Sequence, residues 1–369
     1  MKSSPFLLRP LAGALCALAL VVVLVACEAL LEVENPGNVP EEALNNVDAI
    51  PTLVDGVYGD LVAGFDEFVL RAGLFTDEFV HSGSFPDFNE FDVRNILTNN
   101  PGLDDLWEFV SVARFTGDRA AAQIRELLGA EAESNGFLAA ALAYSGYAHL
   151  LIADNFCQGA FDAGPPLTSE EVYRRAEERF TDAIQVAIAA ESDSILNLAL
   201  VGRARARLNV GDNAGAIADA QQVPADFEFV AQYEQLFQEN IVFIFTIARR
   251  EVSVDEPFRN LDDPRVPVCF GPECPFFTEG EFGPDNETPL FVQEKYLDRG
   301  ADIRIASGVE AALIAREAAG EDVSEERARE LWLEGHRLAD FRRRNDPFLA
   351  GGDACWPLPD EELDTNPNL

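Results

Sequence analysis

The residues best suited to acid–base or metal chemistry are spread too thinly along this chain to act together. Its three histidines, His81, His149 and His336, share no metal-ligand spacing. Neither a nucleophile elbow nor a phosphate-cradling glycine-rich loop occurs. With 65 acidic residues, two carboxylates at some useful separation are expected by chance, so their presence does not argue for a glycosidase pair. Asp285, Asn286 and Glu287 group oxygen donors, but without the spacing of a calcium loop they read as a solvated turn. No catalytic activity, cofactor or metal is therefore expected. What the chain does offer is binding chemistry. Between Thr76 and Gly102, the residues His81, Phe85, Phe88, Asn89, Phe91 and Arg94 stand among Phe79, Asp77, Asp87 and Asp92. A sugar ring presents apolar C–H faces and a rim of hydroxyls, which aromatic rings flanked by Asn, Asp and Arg can recognise. The same phenylalanines would equally serve to pin a long loop to its scaffold, since Phe is a common core residue. Both readings stand at this point.

The elements that would position these residues are mostly helical. Residues 76–102 lose periodicity and fill with Ser, Gly, Pro and Asn, which predicts a long irregular loop. A helix is predicted before it, from about Ala49 to Phe65, and another after it, from Asp104 to about Leu128, with Leu106, Phe109, Val110 and Ala113 on one face. Further helices are predicted over 136–153 and from Thr168, whose spacing to Glu171 is that of a capping box. The segment Leu198 to Pro224 joins two Ala-rich helices through Gly211-Asp212 and resembles a tetratricopeptide helix-turn-helix, with Ala204 and Ala216 at the packing positions. Residues 136–189 read as a second such unit with an enlarged turn, so repeat-like units span about 104–224. Ala-rich helices that merely pack together are the plainer alternative. From Asp226 to Glu287 the composition turns to Phe, Pro and Gly, with short β-branched runs such as Ile241 to Ile247. Long loops with a few short strands are expected there, within a loop-rich segment of about 225–320. A last helix is predicted from Ser324 to Arg343, with Leu331, Trp332, Leu338 and Ala339 on its apolar face and Glu330, Glu334 and Arg337 on the other. Trp107 and Trp332 fall on apolar faces, whereas Trp356 is freer but, lying in the C-terminal tail, reads as structural.

The N-terminus carries Lys2 and Arg9 before an apolar run from Leu11 to Ala26, the pattern of an export signal. The run ends Leu24-Val25-Ala26-Cys27, which resembles the lipobox of bacterial lipoproteins, and Cys16, preceded by bulky Leu15, fits it less well. Residues 1–26 are thus read as a signal peptide, Cys27 as the lipid attachment site, residues 27–48 as a tether and 49–369 as one domain. An ordinary secretory signal or an uncleaved anchor helix is the alternative. No later segment is expected to be hydrophobic enough to span a membrane. Cys157, Cys269, Cys274 and Cys355 remain, an even number in an exported chain, with three possible pairings. We favour Cys269 with Cys274 across a turn-rich segment, and Cys157 with Cys355. A zinc site would need a second close Cys/His pair, which is missing. The net charge of −38 makes nucleic acid and anionic lipid head groups poor partners, because both select basic faces. Beyond the signal Lys295 is the sole lysine, and so acidic a surface suits high salt, where counterions screen self-repulsion.

The strongest likeness to a known family lies at the C-terminus. Glu326-Arg327, the run Glu330-Leu331-Trp332-Leu333-Glu334-Gly335-His336-Arg337-Leu338-Ala339-Asp340-Phe341-Arg342-Arg343, then Trp356-Pro357-Leu358-Pro359-Asp360-Glu361 and Asn366-Pro367-Asn368 resemble the signature of SusD/RagB proteins. Asn35-Pro36-Gly37, Leu53 to Leu61 through Gly56 and Tyr58, and Thr168 to Ala187 add to the likeness in family order. The resemblance implies a tetratricopeptide-like scaffold whose loops bind ligand, the 76–102 loop being a place where this family often puts ligand contacts. It also implies an outer-membrane lipoprotein that captures oligosaccharides, or for some members peptides, for a SusC-like TonB-dependent transporter. A helical-repeat scaffold that assembles outer-membrane proteins without binding a small ligand is the alternative function.

Overall fold

Small residues at helix contacts determine how this chain folds. The computed structural model describes residues 44–271, 274–276 and 282–369, and Asn46–Leu369 form one unit around a contiguous core. The signal segment, Cys27 and nearly all of the tether lie outside the described residues. Helix α1 (Ile50–Phe75) is followed by strand β1 (Phe79–His81), α2 (Pro86–Asp92), α3 (Pro101–Leu128) and α4 (Gly136–Asn155). The short pair β2 (Gln158–Gly159) and β3 (Leu167–Thr168) then fills the enlarged turn before α5 (Ser169–Ala189), α6 (Asp193–Asn209) and α7 (Asn213–Ala220). Each helix from α3 to α7 packs on the next, and α1 packs across α3 and α4. The predicted capping box is formed: Thr168 Oγ1 accepts from the Glu171 amide, and Glu171 Oε2 accepts from the Thr168 amide. Ala204 and Ala216 are fully buried between α6 and α7, as the repeat pattern requires. Close approach is clearest at Phe180, whose ring lies against two glycines. A Cβ on Gly146 would come within 2.6 Å of it, and one on Gly202 within 2.3 Å.

Among the described residues α4 alone is long and apolar enough to cross a membrane, contrary to the expectation from sequence, but 89% of its apolar window is buried inside the fold. It is the core helix of the array. Its hydropathy comes from being enclosed on all sides.

The second half supplies strands β4 (Glu228–Ala231), β5 (Val252–Val254), β6 (Val268–Phe270), β7 (Phe291–Gln293) and β8 (Ile303–Ser307), then α8 (Gly308–Ala318), α9 (Ser324–Glu330), α10 (Arg337–Arg344) and α11 (Asp360–Thr365). The strands form antiparallel pairs only, β1 with β5, β2 with β3, β4 with β8 and β6 with β7. Both favoured disulfides, Cys157–Cys355 and Cys269–Cys274, are present.

Several elements differ from the sequence reading. The first helix runs on to Phe75, because Phe68, Val69, Leu70, Leu74 and Phe75 continue its buried face. Ile241–Ala248 is helical, an α-turn passing into a π-turn, with Asn240 capping it by accepting from the Phe243 amide. Its β-branched residues are there for burial, not for a strand. Helix α8 lies inside the segment expected to be loop-rich, capped by Ser307.

The predicted 324–343 helix is broken in two. Leu333 and Gly335 take positive φ, +56° and +80°, so the chain leaves helical geometry between α9 and α10. Side chains from distant segments satisfy the backbone groups set free. Glu78 Oε1 accepts from the Leu333 amide, Tyr296 OH donates to the Leu333 carbonyl, Lys295 Nζ to the Trp332 carbonyl and Arg304 to the Glu330 carbonyl. Glu334, expected on the face opposite the apolar one, is buried against Lys295 and Arg304, and Arg337 pairs with Asp77.

Glu78 is fully buried, and its Oε2 has no partner among the described residues. Burial pushes its carboxyl up from 4.5 to about 7, against the pull of the Leu333 amide and Arg337. A raised acid favours the folded state fully below its unfolded value near 4.5, and that contribution is lost as pH rises through about 7. Glu78→Gln keeps the bond to Leu333 and removes the charge. It should raise stability by roughly 1–3 kcal/mol near pH 8 and leave it almost unchanged near pH 5. Urea midpoints at the two pH values test this; equal shifts at both would sink it.

Candidate functional site

The residues expected to meet ligand in the 76–102 segment divide into buried and accessible groups. This segment is not an irregular loop. β1 pairs with β5, and Pro86 opens α2, whose short amphipathic turn sends Phe88 and Phe91 inward and Asn89 outward. Phe88 lies under the Arg71 guanidinium at 4.1 Å and against Phe245 at 4.7 Å, while Phe91 meets Trp356 at 5.3 Å. Neither reaches solvent, so both are corrected to core residues. Arg94 turns back to cover Phe348 at 4.8 Å, and its carbonyl accepts from the Asp353 amide, which makes it a positioning residue. His81 is half-buried, with burial lowering its pKa. Phe85 is partly buried beside Phe245, at 6.1 Å, with the exposed Arg249 over both rings. Of the six predicted ligand residues, Asn89 keeps an exposed side chain and His81, Phe85 and Arg94 keep part of one.

His149 and His336 are core groups. Burial lowers both, His149 to about 4, so each is neutral at physiological pH. Asp285 folds its own turn, accepting from the Glu287 and Thr288 amides. Among the described residues no group of three or more His, Cys, Asp or Glu could hold a metal ion. Trp356, read as freer, is fully buried among Phe68, Phe75, Phe91 and Phe156.

A site the sequence did not single out is formed where the loop before Ile241 meets the middle of α1 and α3. It is an open cleft of about 410 Å³ lined by Ala63, Asp66, Glu67, Phe109, Phe237, Gln238, Glu239 and Ile241. Its base is fixed from several directions. Asp66 accepts from the Ile241 amide at 2.8 Å, buried Asn240 donates to the Ala301 carbonyl at 2.7 Å, and Arg299 pairs with Glu239 at 2.5 Å. The Glu234 amide donates to the Gln238 carbonyl and closes a turn whose tip projects Leu236 and Phe237. Phe237 is 91% exposed and Leu236 80% exposed, although the turn beneath them is held on both sides. Gln238 adds a buried Nε2 with no acceptor among the described residues. Burial raises the Asp66 carboxyl well above its usual range and also raises Glu67, partly offset by Arg71. Two aromatic residues, Phe109 and Phe237, thus line one cleft together with an amide donor and the carboxyl groups of Glu67 and Glu239. The one hint in the sequence was an apolar pair, Leu236-Phe237, inside a run of Gln and Glu.

No protein-family model and no curated protein matches the sequence. Solved structures do. A SusD superfamily protein from Bacteroides vulgatus ATCC 8482 superposes with a TM-score of 0.67 at 14% identity, over 87% of this chain and 97% of its own. A laminarin-binding SusD-like protein gives 0.64 at 14% identity, over 88% and 100%. Surface glycan-binding protein A from Bacteroides thetaiotaomicron, in complex with laminarihexaose, gives 0.67 at 12% identity, over 88% and 98%. The chain has the SusD-like fold.

Proposed function

We propose that the protein is a surface glycan-binding lipoprotein of an uptake system: lipid on Cys27 holds it at the outer membrane, and it passes captured oligosaccharide to a SusC-like TonB-dependent transporter. The observation that carries the reading is Phe237, an almost fully exposed aromatic ring on an anchored turn, in one cleft with Phe109 and with a Gln238 Nε2 that has no acceptor among the described residues. Exposing such a ring forfeits the stabilisation that burial would bring, and a sugar's apolar face restores it on binding. The cleft volume of about 410 Å³ falls within the range of small-ligand sites. Solved proteins of this fold that bind laminarin or hold laminarihexaose make a β-linked glucan the first ligand to try. The Phe85–Phe245–Arg249 patch gives a second accessible aromatic surface on which a longer chain could rest.

Calorimetric titration with laminarihexaose and other neutral oligosaccharides tests the reading. Phe237→Ala is expected to weaken binding about tenfold or more, since one well-placed aromatic contact contributes about 1.4 kcal/mol or above. Ile188→Ala, exposed near the end of α5, should leave it unchanged. Binding of peptides in place of glycans would change the ligand class, and binding of neither would favour the assembly-scaffold reading. The anchor and the partner have their own tests: Cys27→Ser should release the protein from the membrane fraction, and a TonB-dependent barrel should co-purify in mild detergent.

A further inference from the structure

An open cavity of about 370 Å³ lies between the segment after β5 and the C-terminal helices, and it shares no lining residue with the Phe237 cleft. Pro257, Leu261 and Ala328 present accessible apolar surface to it, while the rings of Phe258 and Phe341 are buried in its wall. Arg329 of α9 and Arg337 and Arg344 of α10 complete the lining with Glu325 and Asp346. Each guanidinium already has its carboxylate. Arg337 makes a two-pronged bond to Asp77 through Nε and Nη2, at 2.7 and 2.6 Å, and Arg344 grips Glu317 the same way, at 3.2 and 3.0 Å. Arg329 pairs with Glu325 and, at 3.4 Å, with Asp263. Among the described residues Asp346 pairs with no cation, so the cavity carries no positive charge in excess and an anionic ligand would be repelled. Hydrogen-bonding capacity nevertheless remains. The Nη1 of Arg337 and of Arg344 donates to no protein atom among the described residues, and Asp346, whose Oδ1 accepts from the Phe348 amide, has its Oδ2 left over.

We propose that this cavity is a second saccharide site, separate from the Phe237 cleft, that takes a neutral sugar unit and rejects a uronate. A sugar hydroxyl both donates and accepts, so it can use a guanidinium N–H and a carboxylate oxygen of the same cavity at once. Hydrogen bonds to charged groups are stronger than those between neutral ones, and a neutral ligand gains them without bringing a charge of its own to desolvate. Donors held by two-pronged ion pairs also lose little freedom when the ligand arrives. The C–H face of the ring covers the apolar surface of Pro257, Leu261 and Ala328, and the volume lies at the small end of the range for small-ligand sites. That the neutral ligand is a sugar rests on the glycan reading above; the place of the site and its rejection of anions do not.

The test is calorimetric titration of the purified chain with laminaritriose, which is neutral, and with trigalacturonate. Wild type should bind laminaritriose at two sites, and Phe237→Ala should keep one of them. In that background trigalacturonate should bind at least about tenfold more weakly than laminaritriose. Asp346→Asn keeps the bond to the Phe348 amide and removes the unpaired charge, so it should narrow this gap while leaving laminaritriose unchanged, a result that a purely structural role for Asp346 would not give. Ala328→Trp, which fills the cavity, should abolish the site. Arg344→Gln, which leaves Glu317 its partners Arg327 and Arg343, should weaken it about tenfold. A single laminaritriose site that Phe237→Ala abolishes would overturn the proposal, and so would unchanged affinity in both cavity variants or uronate binding as tight as that of the neutral trimer. If Phe237→Ala changes nothing while both cavity variants lose binding, the Phe237 reading fails and this site stands. Binding of laminaritriose nowhere would overturn both.

Discussion

Asp340→Asn should lower the stability of the folded chain by about 3–5 kcal/mol at neutral pH, the loss typical of removing one partner from a buried ion pair. Asp340 is buried between α9 and α10 and accepts from Arg327 at 2.8 and 2.9 Å and from Arg343 at 2.7 Å. Arg327 is equally buried, reaches Glu317 at 3.3 Å, and already has an Nη1 without an acceptor among the described residues. Asparagine keeps the shape but leaves Arg327 and Arg343 facing a neutral amide. Glu317, already shared with Arg344, cannot balance all three guanidiniums. Burial alone would raise the Asp340 carboxyl; the Arg327 and Arg343 charges outweigh it and hold the group far below the usual carboxylate range. A depressed acid stabilises the fold above its unfolded value near 3.8, and the contribution is lost as pH falls through the lower folded value. The difference between wild type and variant should therefore be full at neutral pH and shrink in strong acid. Denaturant midpoints measure it. A loss below about 1 kcal/mol would mean that the network contributes little, and the paired change Arg327→Met with Asp340→Leu should recover much of the deficit by removing the stranded charge.

This network also marks where sequence reading stopped. The Ala-rich helices, the Thr168–Glu171 cap and the Gly211-Asp212 turn were legible because their stabilising partners lie within a few residues. The break between α9 and α10 was not, since Leu331, Trp332, Leu338 and Ala339 are all buried and preserve a helical period across it. What stabilises the break comes from Glu78, Lys295, Tyr296 and Arg304, and no local pattern names them. Helix α2 was hidden for a related reason. At seven residues its periodicity amounts to Phe88 and Phe91 alone, and the aromatic spacing that suggested ligand contacts was the spacing of an inward face. The binding surfaces were least legible of all. Phe109 and Phe237 come from different halves of the chain, and no local pattern joins them.

Replacing both Cys157 and Cys355 with serine should cost the fold roughly 5 kcal/mol by the chain-entropy relation, because the bond closes a loop spanning 198 positions. The corresponding change at Cys269 and Cys274, which span 5 positions, should cost about 2 kcal/mol. The larger loss acts mainly on the unfolded chain, since the folded tail has other attachments. The Cys157 amide donates to the Trp356 carbonyl at 2.8 Å, the Trp356 amide to the Asn155 carbonyl at 2.9 Å, and the Trp356 ring is enclosed by four phenylalanines. The double variant should accordingly keep ligand affinity at the Phe237 cleft unchanged while its guanidinium midpoint falls well below that of the Cys269/Cys274 variant. A parallel fall in affinity would show that the bond shapes the native state, and a stability loss under about 1 kcal/mol would show that the unfolded chain stays compact without it. Removal in pairs matters, because a single substitution leaves a free thiol able to exchange with the remaining disulfide. Bonds of this kind persist in oxidising surroundings, so the stability that Cys157–Cys355 confers is available to an exported chain and largely withheld from one retained in a reducing cytoplasm.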